Sequence, residues 1–399
     1  MAQDYCTQVV DDPARIDRAA WDALVDADAE ANPFVRHEFL SALTASGAAA
    51  GPSGWHPQFL LLSRGDELVA AAPRYAKDHS YGEYVFDWSW AEAWNRHGLA
   101  YYPKWLVAVP FTPVPGTRLL ARDGEARSAL AAALLANALD SGLSSLHVLL
   151  APSRDIDALA GAGMLLRDGV QFHWRNAGYA DFDAFLAQLA QPKRKKIRAE
   201  RRKVREAGVV LERRVGREIG EDDWRFFYRC YLATYRAHFS SPYLNLDFFL
   251  RIGESMPENL MLVLARRGGR PVASALGVFD ARREEARLYG RYWGAVEAID
   301  CLHFECCYYQ MIEFAIERRL AWFEGGAQGA HKLARGLDPV PTRSAHWLAQ
   351  PAMRAAVARF LERERAGVAA AIDELNEHRA FRDAETPGAP LHGFPLARE

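Results

Sequence analysis

Two stretches with the same pattern decide the fold: residues 61–72, LLSRGDELVAAA, and residues 264–275, LARRGGRPVASA. The second begins 203 residues after the first. In each stretch an apolar run is followed by a turn that contains glycine, and then by a run of small and β-branched residues. This order predicts a β-hairpin in both places.

The sequence around the two hairpins corresponds as well. Each hairpin is preceded by helical sequence and is followed by a strand, a helix and a second strand. In the first half the strand, the helix and the second strand are residues 105–120, 125–139 and 145–151. In the second half they are residues 286–293, 302–320 and 321–327. The repetition predicts two similar α/β domains with mixed sheets flanked by helices, covering residues 1–185 and 186–399.

The composition is that of an ordinary globular protein. The 399 residues are 50% hydrophobic and 25% charged, with a formal net charge of −2, which excludes a disordered chain, a collagen and a coiled coil. Five cysteines without framework spacing, and an amino terminus with neither a basic start nor an apolar run, predict a reduced, cytoplasmic setting. No run approaches the ~18 apolar residues that a membrane span needs, so we expect none.

Local sequence signals predict where one strand ends and where two long helices lie. Proline at positions 110, 113 and 115 removes ladder donors, so strand pairing is expected to fail from Pro110 onward. Residues 182–205 are predicted to form a helix that Gly208 ends, and residues 353–376 a long amphipathic carboxy-terminal helix.

The entry helix of the second domain, placed within residues 186–207, is strongly basic. Residues 193–205, KRKKIRAERRKVR, contain nine basic residues and one acidic residue. Such a helix suits a phosphate-bearing partner, namely RNA, a nucleotide-linked substrate or an anionic membrane face. The alternative is a solvated helix face without a partner. Arg198 is the candidate phosphate ligand in this helix.

A block rich in aromatic residues, 77–111, interleaves rings with charged side chains. Its finely alternating segment KDHSYGEYVFDWSW favours a cleft wall for the acceptor substrate, although aromatic residues are also ordinary core material. The candidate substrate-binding residues here are His79, Glu83, Asp87 and Trp88.

The helix predicted from residue 302 carries the candidate catalytic residues. At 100° per residue, His303, Cys306, Gln310, Glu313 and Glu317 fall on one solvated face, and Glu305 lies in the middle of the opposite apolar arc. A carboxylate there must be paired, protonated or facing a cavity, which makes Glu305 a candidate general base. The alternative is a structural ion pair, for instance with Arg291. Tyr308 or Tyr309 is the candidate proton donor to the leaving group.

A glycine-rich turn, FEGGAQGAHKLARG at residues 323–336, is followed by His331, Lys332 and Arg335. Exposed amides and cations suit a phosphate or carboxylate, although a plain connecting turn is the alternative. No Walker loop and no GxGxxG motif is present. The group Cys301, His303, Cys306 and Cys307 is rejected as a metal site because adjacent helical cysteines point about 100° apart; no metal is predicted.

Seven longer blocks resemble one known family. They are residues 79–94, 101–120, 193–204, 243–249, 290–295, 302–320 and 323–336. These blocks resemble the FemAB-like branch of the GNAT N-acyltransferase superfamily. The resemblance implies tandem GNAT-like domains, with substrates bound where strands splay and in the channel between the domains. It also implies transfer of an acyl or aminoacyl group to a primary amine.

The resemblance implies co-substrates rather than a tightly bound cofactor. The donor is expected to be a thioester, either acyl-CoA or an acyl carrier; the alternatives are an aminoacyl-tRNA-dependent peptidyltransferase of the cell-wall type and a non-catalytic binding protein. The acceptor would be a small-molecule, lipid or peptidoglycan-precursor amine, with tRNA and the inner membrane face as further candidate partners. One segment departs from the family: in residues 291–300, RYWGAVEAID, only Arg291 and Gly294 fit the usual CoA phosphate turn. Arg291 and Tyr292 are nevertheless candidate substrate-binding residues.

Overall fold

The computed structural model describes residues 5–283, 285–326, 329–377 and 379–381. In this part of the chain the strands form two sheets. A small antiparallel sheet has the order β1-β3-β4-β7, and a large mixed sheet has the order β10-β11-β12-β13-β14-β9-β15-β8-β6-β5-β2. The strands are β1 (Tyr5–Val10), β2 (Trp55–Pro57), β3 (Phe59–Arg64), β4 (Glu67–Ala72), β5 (Arg74–Lys77), β6 (Lys104–Val107), β7 (Leu120–Ala121), β8 (Ser145–Val148), β9 (Leu165–Arg175), β10 (Val209–Val215), β11 (Leu260–Arg267), β12 (Arg270–Asp280), β13 (Arg287–Ala295), β14 (Trp322–Glu324) and β15 (Asp338–Leu348).

Helices cover both faces of the large sheet. A five-residue π-helical turn, Glu305–Tyr309, joins α10 to α11 in one continuous helical segment, and a short 3-10 helix spans Ala330–Arg335. The helices are α1 (Arg18–Ala27), α2 (His37–Ala45), α3 (Trp88–Arg96), α4 (Gly124–Asp140), α5 (Ser153–Gly161), α6 (Phe182–Gln188), α7 (Gln191–Glu206), α8 (Glu221–Ala237), α9 (Leu246–Ser255), α10 (Leu302–Phe304), α11 (Gln310–Glu317) and α12 (Pro351–Glu377).

Both predicted hairpins are present, as β3–β4 and as β11–β12. Each is followed by the same arrangement of strands. In the first repeat, β5 pairs antiparallel with β6, and β6 pairs in parallel with β8 after the helix α4. In the second, β12 pairs antiparallel with β13, and β13 pairs in parallel with β14 after the helical segment α10–α11. The predicted mixed α/β fold built from two similar units is confirmed.

The two repeats exchange strands. β9, which follows the first repeat in sequence, pairs with β14 of the second repeat. β15, at the end of the second repeat, pairs with both β8 and β9. All these strands therefore belong to one sheet. The sheet is continuous across the two repeats, and the domain boundary at residue 185 stays a prediction.

An apolar core also joins the repeats. Phe34 packs edge-on against Tyr289 with ring centroids 5.2 Å apart, and Phe39 of α2 packs against Phe248 of α9 at 5.4 Å. Burying aromatic side chains of this size contributes about 2–3 kcal/mol each. The second repeat is therefore supported by the first directly beside β13.

The helix predicted over residues 182–205 was wrong as a single helix. α6 ends at Gln188 and α7 begins at Gln191, with Pro192 in its first turn. Proline lacks the N–H that a continuing helix needs, whereas that N–H is dispensable in a first turn. Gly208 follows α7 with a φ of +72°, as a helix-ending glycine does.

Other local predictions are confirmed. The strand predicted from residue 105 ends at Val107, before Pro110, and resumes only as β7. The carboxy-terminal helix is present as α12. The last predicted strand, residues 321–327, is the short β14; residue 327 lies outside the described residues.

Candidate functional site

The parallel strands β13 and β14 separate shortly after they meet. They pair only from Arg287 to Tyr289, opposite Trp322–Glu324. β13 continues alongside β12 as far as Ala295, but the N–H of Gly325 donates to the carbonyl of Phe172 on β9 (3.0 Å), so the chain turns away. Residues 290–295 and residues 325–326 are therefore no longer paired with each other, and this unpaired region is called the β13/β14 gap below.

A β-bulge in β13 lies at the mouth of this gap. Gly277 is opposite Gly290, and Ala275 is opposite Trp293, so Arg291 and Tyr292 together face one residue of β12. A bulge leaves one residue's backbone groups outside the ladder and re-aims its neighbours. The ladder between β12 and β13 is thus irregular at the point where the parallel partner of β13 departs.

The bulge also determines which face of the sheet each side chain of β13 lies on. Tyr289 and Tyr292 both belong to the core shared with the first repeat, whereas Leu288 and Trp293 face the core under α10–α11. Arg291 Nη2 and the Tyr292 hydroxyl both donate to the carbonyl of Phe111, at 2.7 and 3.0 Å. The two predicted substrate-binding residues therefore fasten a loop of the first repeat beside the bulge.

Two adjoining grooves, of about 460 and 270 Å³, run from the end of β13 to α10. Trp293 and His303 line both, and their ring centroids are 5.4 Å apart. His303 has no hydrogen-bond partner among the described residues, so its ring nitrogens are available to a substrate. Burial, reinforced by the nearby His331, Arg335 and Lys332, lowers the pKa of His303 to about 4, so the ring is neutral at pH 7.

Three predicted site residues gather at the other side of the gap. The Tyr308 hydroxyl lies 3.1 Å from His331 Nε2, and burial raises the pKa of Tyr308. Lys332 Nζ donates to the carbonyl of Gly326 (3.1 Å) just after β14 ends. Burial lowers the pKa of Lys332 to about 8, so at pH 7 it remains a cation with little to neutralise it.

Glu305 is buried, as predicted, but it faces an arginine. Arg201 of α7 donates to both of its carboxylate oxygens, at 3.0 and 3.1 Å, and Gln310 donates to one of them at 2.9 Å. The suggested partner Arg291 was wrong. A carboxylate held by a guanidinium on both oxygens is poorly placed to take a proton. Its predicted role as a general base is therefore not favoured by this geometry.

Arg335 and Tyr309 form a buried network and line neither groove. Arg335 donates to both carboxylate oxygens of Glu200 at 2.9 Å, to the Tyr309 hydroxyl at 3.1 Å and to the carbonyl of His331 at 2.8 Å. The Tyr309 hydroxyl also donates to Glu200. With these donors occupied, Arg335 is a structural cation and not the phosphate ligand predicted. Tyr309, likewise, is held too far inside to act on a substrate.

The predicted solvated face of the helix at residue 302 was wrong at two positions. Gln310 is buried because it follows the π-helical turn, whose extra residue rotates the residues after it. Cys306, inside the turn, is buried in the apolar core. Arg198 is exposed and pairs with Asp183 at 3.1 Å. It does not line either groove.

In the first repeat, Glu83 and Asp87 are interior residues rather than a cleft wall. Lys104, fully buried on β6, donates to Glu83 Oε2 (2.9 Å), to Ser80 (2.8 Å) and to Asp87. The Tyr101 hydroxyl donates to Asp87 at 2.6 Å. The expectation of an acceptor wall at these two carboxylates is therefore corrected: desolvated carboxylates of this kind require their buried cation.

His79 and Trp88 lie near the surface of the same repeat. A His79 ring nitrogen is 3.1 Å from the carbonyl of Ser53. Trp88 is exposed and packs against Tyr81, with ring centroids 4.9 Å apart. Neither residue lies on the grooves beside β13, so the predicted substrate-binding set is divided between two regions.

The gap of the first repeat is filled. Arg118 is buried where β6 and β8 end, and its guanidinium donates to the carbonyls of Leu149 (2.9 Å), Gly116 (2.8 Å) and Val114 (2.6 Å). The pairing of β5 with β6 also runs without a register shift. The second repeat alone combines an open gap with a bulge in the described part of the chain.

The described residues were compared with the requirements of a metal site and of a membrane-spanning helix. Over the described ranges, no group of His, Cys, Asp and Glu side chains is arranged to hold a metal ion. Within the same ranges no helix combines the length and the apolarity that crossing a bilayer requires.

Sequence reasoning missed His303 and Trp293 as groove residues. His303 was placed on the solvated face, and the pattern carries no sign of the bulge that turns Trp293 toward it. Lys104 was also missed, although a lysine inside an otherwise apolar strand, KWLV, is a usable signal of a buried ion pair.

The chain is similar to several solved structures. FemX has a TM-score of 0.54 at 12% identity, covering 85% of this chain and 98% of that one. L-PGS from Bacillus licheniformis has a TM-score of 0.53 at 11% identity, covering 89% and 99%. A tandem GNAT protein from the clavulanic acid biosynthesis pathway has a TM-score of 0.46 at 13% identity, covering 87% and 99%. The first two establish a shared fold. No curated protein sequence is significantly similar to the chain.

Each of the two repeats has a helix between two parallel strands. A family model described as peptidoglycan biosynthesis/recognition matches residues 12–383. The chain therefore belongs to the FemAB-like family.

Proposed function

We propose that this protein is an N-acyltransferase that moves an acyl group from a thioester donor to a primary amine at the β13/β14 gap. The observation that carries the proposal is the coincidence of the bulge at Arg291 and Tyr292 with the end of β13–β14 pairing. Acyl transfer to an amine passes through a tetrahedral oxyanion, which needs fixed donors. Backbone N–H groups released by the bulge are such donors, and their placement costs nothing at the moment of reaction.

Lys332 stabilises the same negative charge, that of the tetrahedral oxyanion. Its ammonium group is buried and lies beside Gly326, where β14 ends. A cation in such a low-dielectric position interacts strongly with charge that develops on the carbonyl oxygen or on the leaving group. We assign Lys332 this electrostatic role.

His303 takes the proton from the attacking nitrogen. An aliphatic amine is largely protonated near pH 7, so it attacks through its minor neutral form. Once its nitrogen has bonded to the carbonyl carbon, that nitrogen is positively charged and its proton is much more acidic. A neutral imidazole that lines the groove can accept that proton, even though its pKa is low. Glu305, held by Arg201, supports the helix that carries His303.

Tyr308 protonates the leaving group. Its raised pKa keeps the hydroxyl protonated. The donated proton leaves with the product, so the His331 ring, 3.1 Å away, relays a proton from solvent to the phenolate by taking it up on one nitrogen and releasing one from the other. The pair thus supplies an acid and its reprotonating partner on the side of the gap opposite the bulge.

Among thioester donors, the residues at the start of α10 favour a carrier-bound acyl group over acyl-CoA. Glu297 and Asp300 both line the smaller groove and are paired with Arg267 and Lys203, so these two cations are not free to bind a diphosphate there. Aminoacyl-tRNA is the alternative donor class, because the family description places related proteins in peptidoglycan biosynthesis.

The test is amide formation by purified protein. The protein is incubated with acyl-CoAs, acyl carrier thioesters and aminoacyl-tRNAs, together with small amines, amino lipids and peptidoglycan precursors, and new amides are read by mass spectrometry. A product whose formation falls at least 100-fold in His303→Ala supports the proposal. If every donor class gives no amide above the protein-free rate, the protein is a binding module and the proposal fails.

Glu305→Gln separates the two candidate bases. If Glu305 only supports the helix, the variant loses stability but keeps its rate per folded molecule. If it removes the amine proton, the rate falls with the fold intact, which circular dichroism would show.

A further inference from the structure

One side of α7 is fixed inside the protein. Ile197 and Val204 are buried in the apolar core, and Glu200 and Arg201 make the ion pairs with Arg335 and Glu305. The rotation of the helix about its axis is therefore set, and the residues on its opposite side must face outward.

The outward side is a row of cations. Lys195 and Arg202 lie opposite the buried residues, and at ~24 Å the helix is long enough to present them along a ridge. Lys195, Lys196 and Arg205 have no salt-bridge partner among the described residues, and Arg202 pairs only with the neighbouring Glu206. We call the exposed cations of α7 the basic ridge; they are Lys195, Lys196, Arg198, Arg202, Lys203 and Arg205.

An apolar tip lies across the grooves from this ridge. Phe239, directly after α8, is 99% exposed, the highest value for a large hydrophobic residue among those described. It is held there: its N–H donates to the carbonyl of Arg236 (3.2 Å), and its φ is +51°. Val296, on the rim of the larger groove, is 54% exposed.

The grooves connect the ridge to the tip. Lys203 lies 3.9 Å from Asp300, which lines the smaller groove. That groove shares Trp293 and His303 with the larger one, which His238 and Val296 line. Phe239 follows His238 in the chain, so cations, groove mouths and apolar tip adjoin one another on the surface.

We propose that the basic ridge and Phe239 dock this protein on a bilayer surface that contains anionic lipid. Cations beside an exposed aromatic and an aliphatic side chain match the two components of interfacial binding, headgroup attraction and shallow apolar insertion. RNA fits less well, because Val296 beside the groove offers no stacking surface for a base. Docked in this way, the mouths of the grooves beside β13 would face the membrane surface. The inference stands apart from the proposed reaction, since it concerns binding alone.

The test is cosedimentation of the full-length protein with vesicles of phosphatidylcholine, with and without 30% phosphatidylglycerol. We expect binding to the anionic vesicles that weakens with added salt. Lys195→Glu/Arg202→Glu should weaken it at least 20-fold, since each cation contributes about fivefold. Phe239→Ser should weaken it about tenfold at unchanged salt dependence. The matched controls are Arg359→Glu/Arg363→Glu on α12 and Phe86→Ser, an exposed phenylalanine of the first repeat.

Three results would overturn the proposal. The first is no preference for anionic vesicles. The second is equal loss of binding in the ridge variants and in the α12 control, which would indicate an effect of net charge alone. The third is ridge-dependent binding of bulk tRNA with no vesicle binding, which would assign the ridge to nucleic acid. Circular dichroism of each variant shows whether the fold is retained.

Discussion

His147 of β8 and His346 of β15 are register partners, and their Nδ1 atoms lie 2.7 Å apart in the interior of the first repeat. Because β15 follows the second repeat in sequence, this bond fastens the exchanged strand. A bond between two imidazoles requires one ring to donate and the other to accept. At least one of the two rings must therefore remain neutral for the bond to exist.

This pair predicts loss of stability in mild acid. Burial lowers the pKa of His147 to about 3 and that of His346 well below its usual range. A histidine whose folded pKa lies below its unfolded value of about 6.5 contributes stability that is full above pH 6.5 and falls as the pH drops toward 3. At pH 5 His147 alone should cost about 2 kcal/mol.

Urea unfolding at pH 7 and at pH 5 measures this loss. His346→Leu should show a smaller difference between the two pH values than the unaltered protein. His97→Gln, which removes an exposed histidine, should leave the difference unchanged. An identical pH difference in His346→Leu and the unaltered protein would show that these rings do not titrate on unfolding.

The ion pair of Arg201 and Glu305 should be strongly coupled. Glu305 has a side chain only 5% exposed, so Arg201→Met should leave a buried carboxylate short of its partner and cost about 3 kcal/mol. The double variant Arg201→Met/Glu305→Leu should recover most of that loss, because neither charge then remains. A double-mutant cycle of unfolding free energies checks this. Additive losses would indicate that Glu313 and Gln310 satisfy each group without the other.

Gly294 should not accept a side chain. A Cβ at this position would lie 1.8 Å from the carbonyl oxygen of Cys230, a backbone atom of α8 that cannot rotate away. Gly294→Ala should therefore displace α8 from β13 and cost about 3 kcal/mol or more. Gly124→Ala is the control, since nothing lies within 4 Å of its Cβ. Equal melting temperatures for the two variants would mean that α8 is free to move.

Much of the fold could be predicted from the sequence because the information is local. The turns of both hairpins are marked by glycine, and Pro110 marks the end of strand pairing after β6. The exchange of β9 and β15 could not be predicted, because strand partners far apart in sequence leave no periodic signal. The same holds for the bulge at Arg291, which depends on the register of β12.

The candidate site was predicted only in part. Tyr308, His331 and Lys332 do lie together, since a helix and a glycine turn that follow one another can be placed by spacing. Glu305 was predicted to be the general base and Arg335 a phosphate ligand, whereas their partners Arg201 and Glu200 lie more than 100 positions away in sequence. The sequence pattern shows that a charged residue such as Glu305 lies on an apolar helix face, but it does not show which distant residue pairs with that charge.

The central claim is that acyl transfer takes place at the β13/β14 gap of the second repeat. The most direct test is the rate of amide formation, with the donor and acceptor found by the mass-spectrometric screen, for Tyr308→Phe and for Tyr102→Phe. Each variant removes one hydroxyl, and Tyr102 lies in the first repeat, where it contacts Ser80. We predict a rate at least 100-fold lower for Tyr308→Phe and an unchanged rate for Tyr102→Phe; the reverse order, or equal rates, would contradict the assignment of the reaction to this gap.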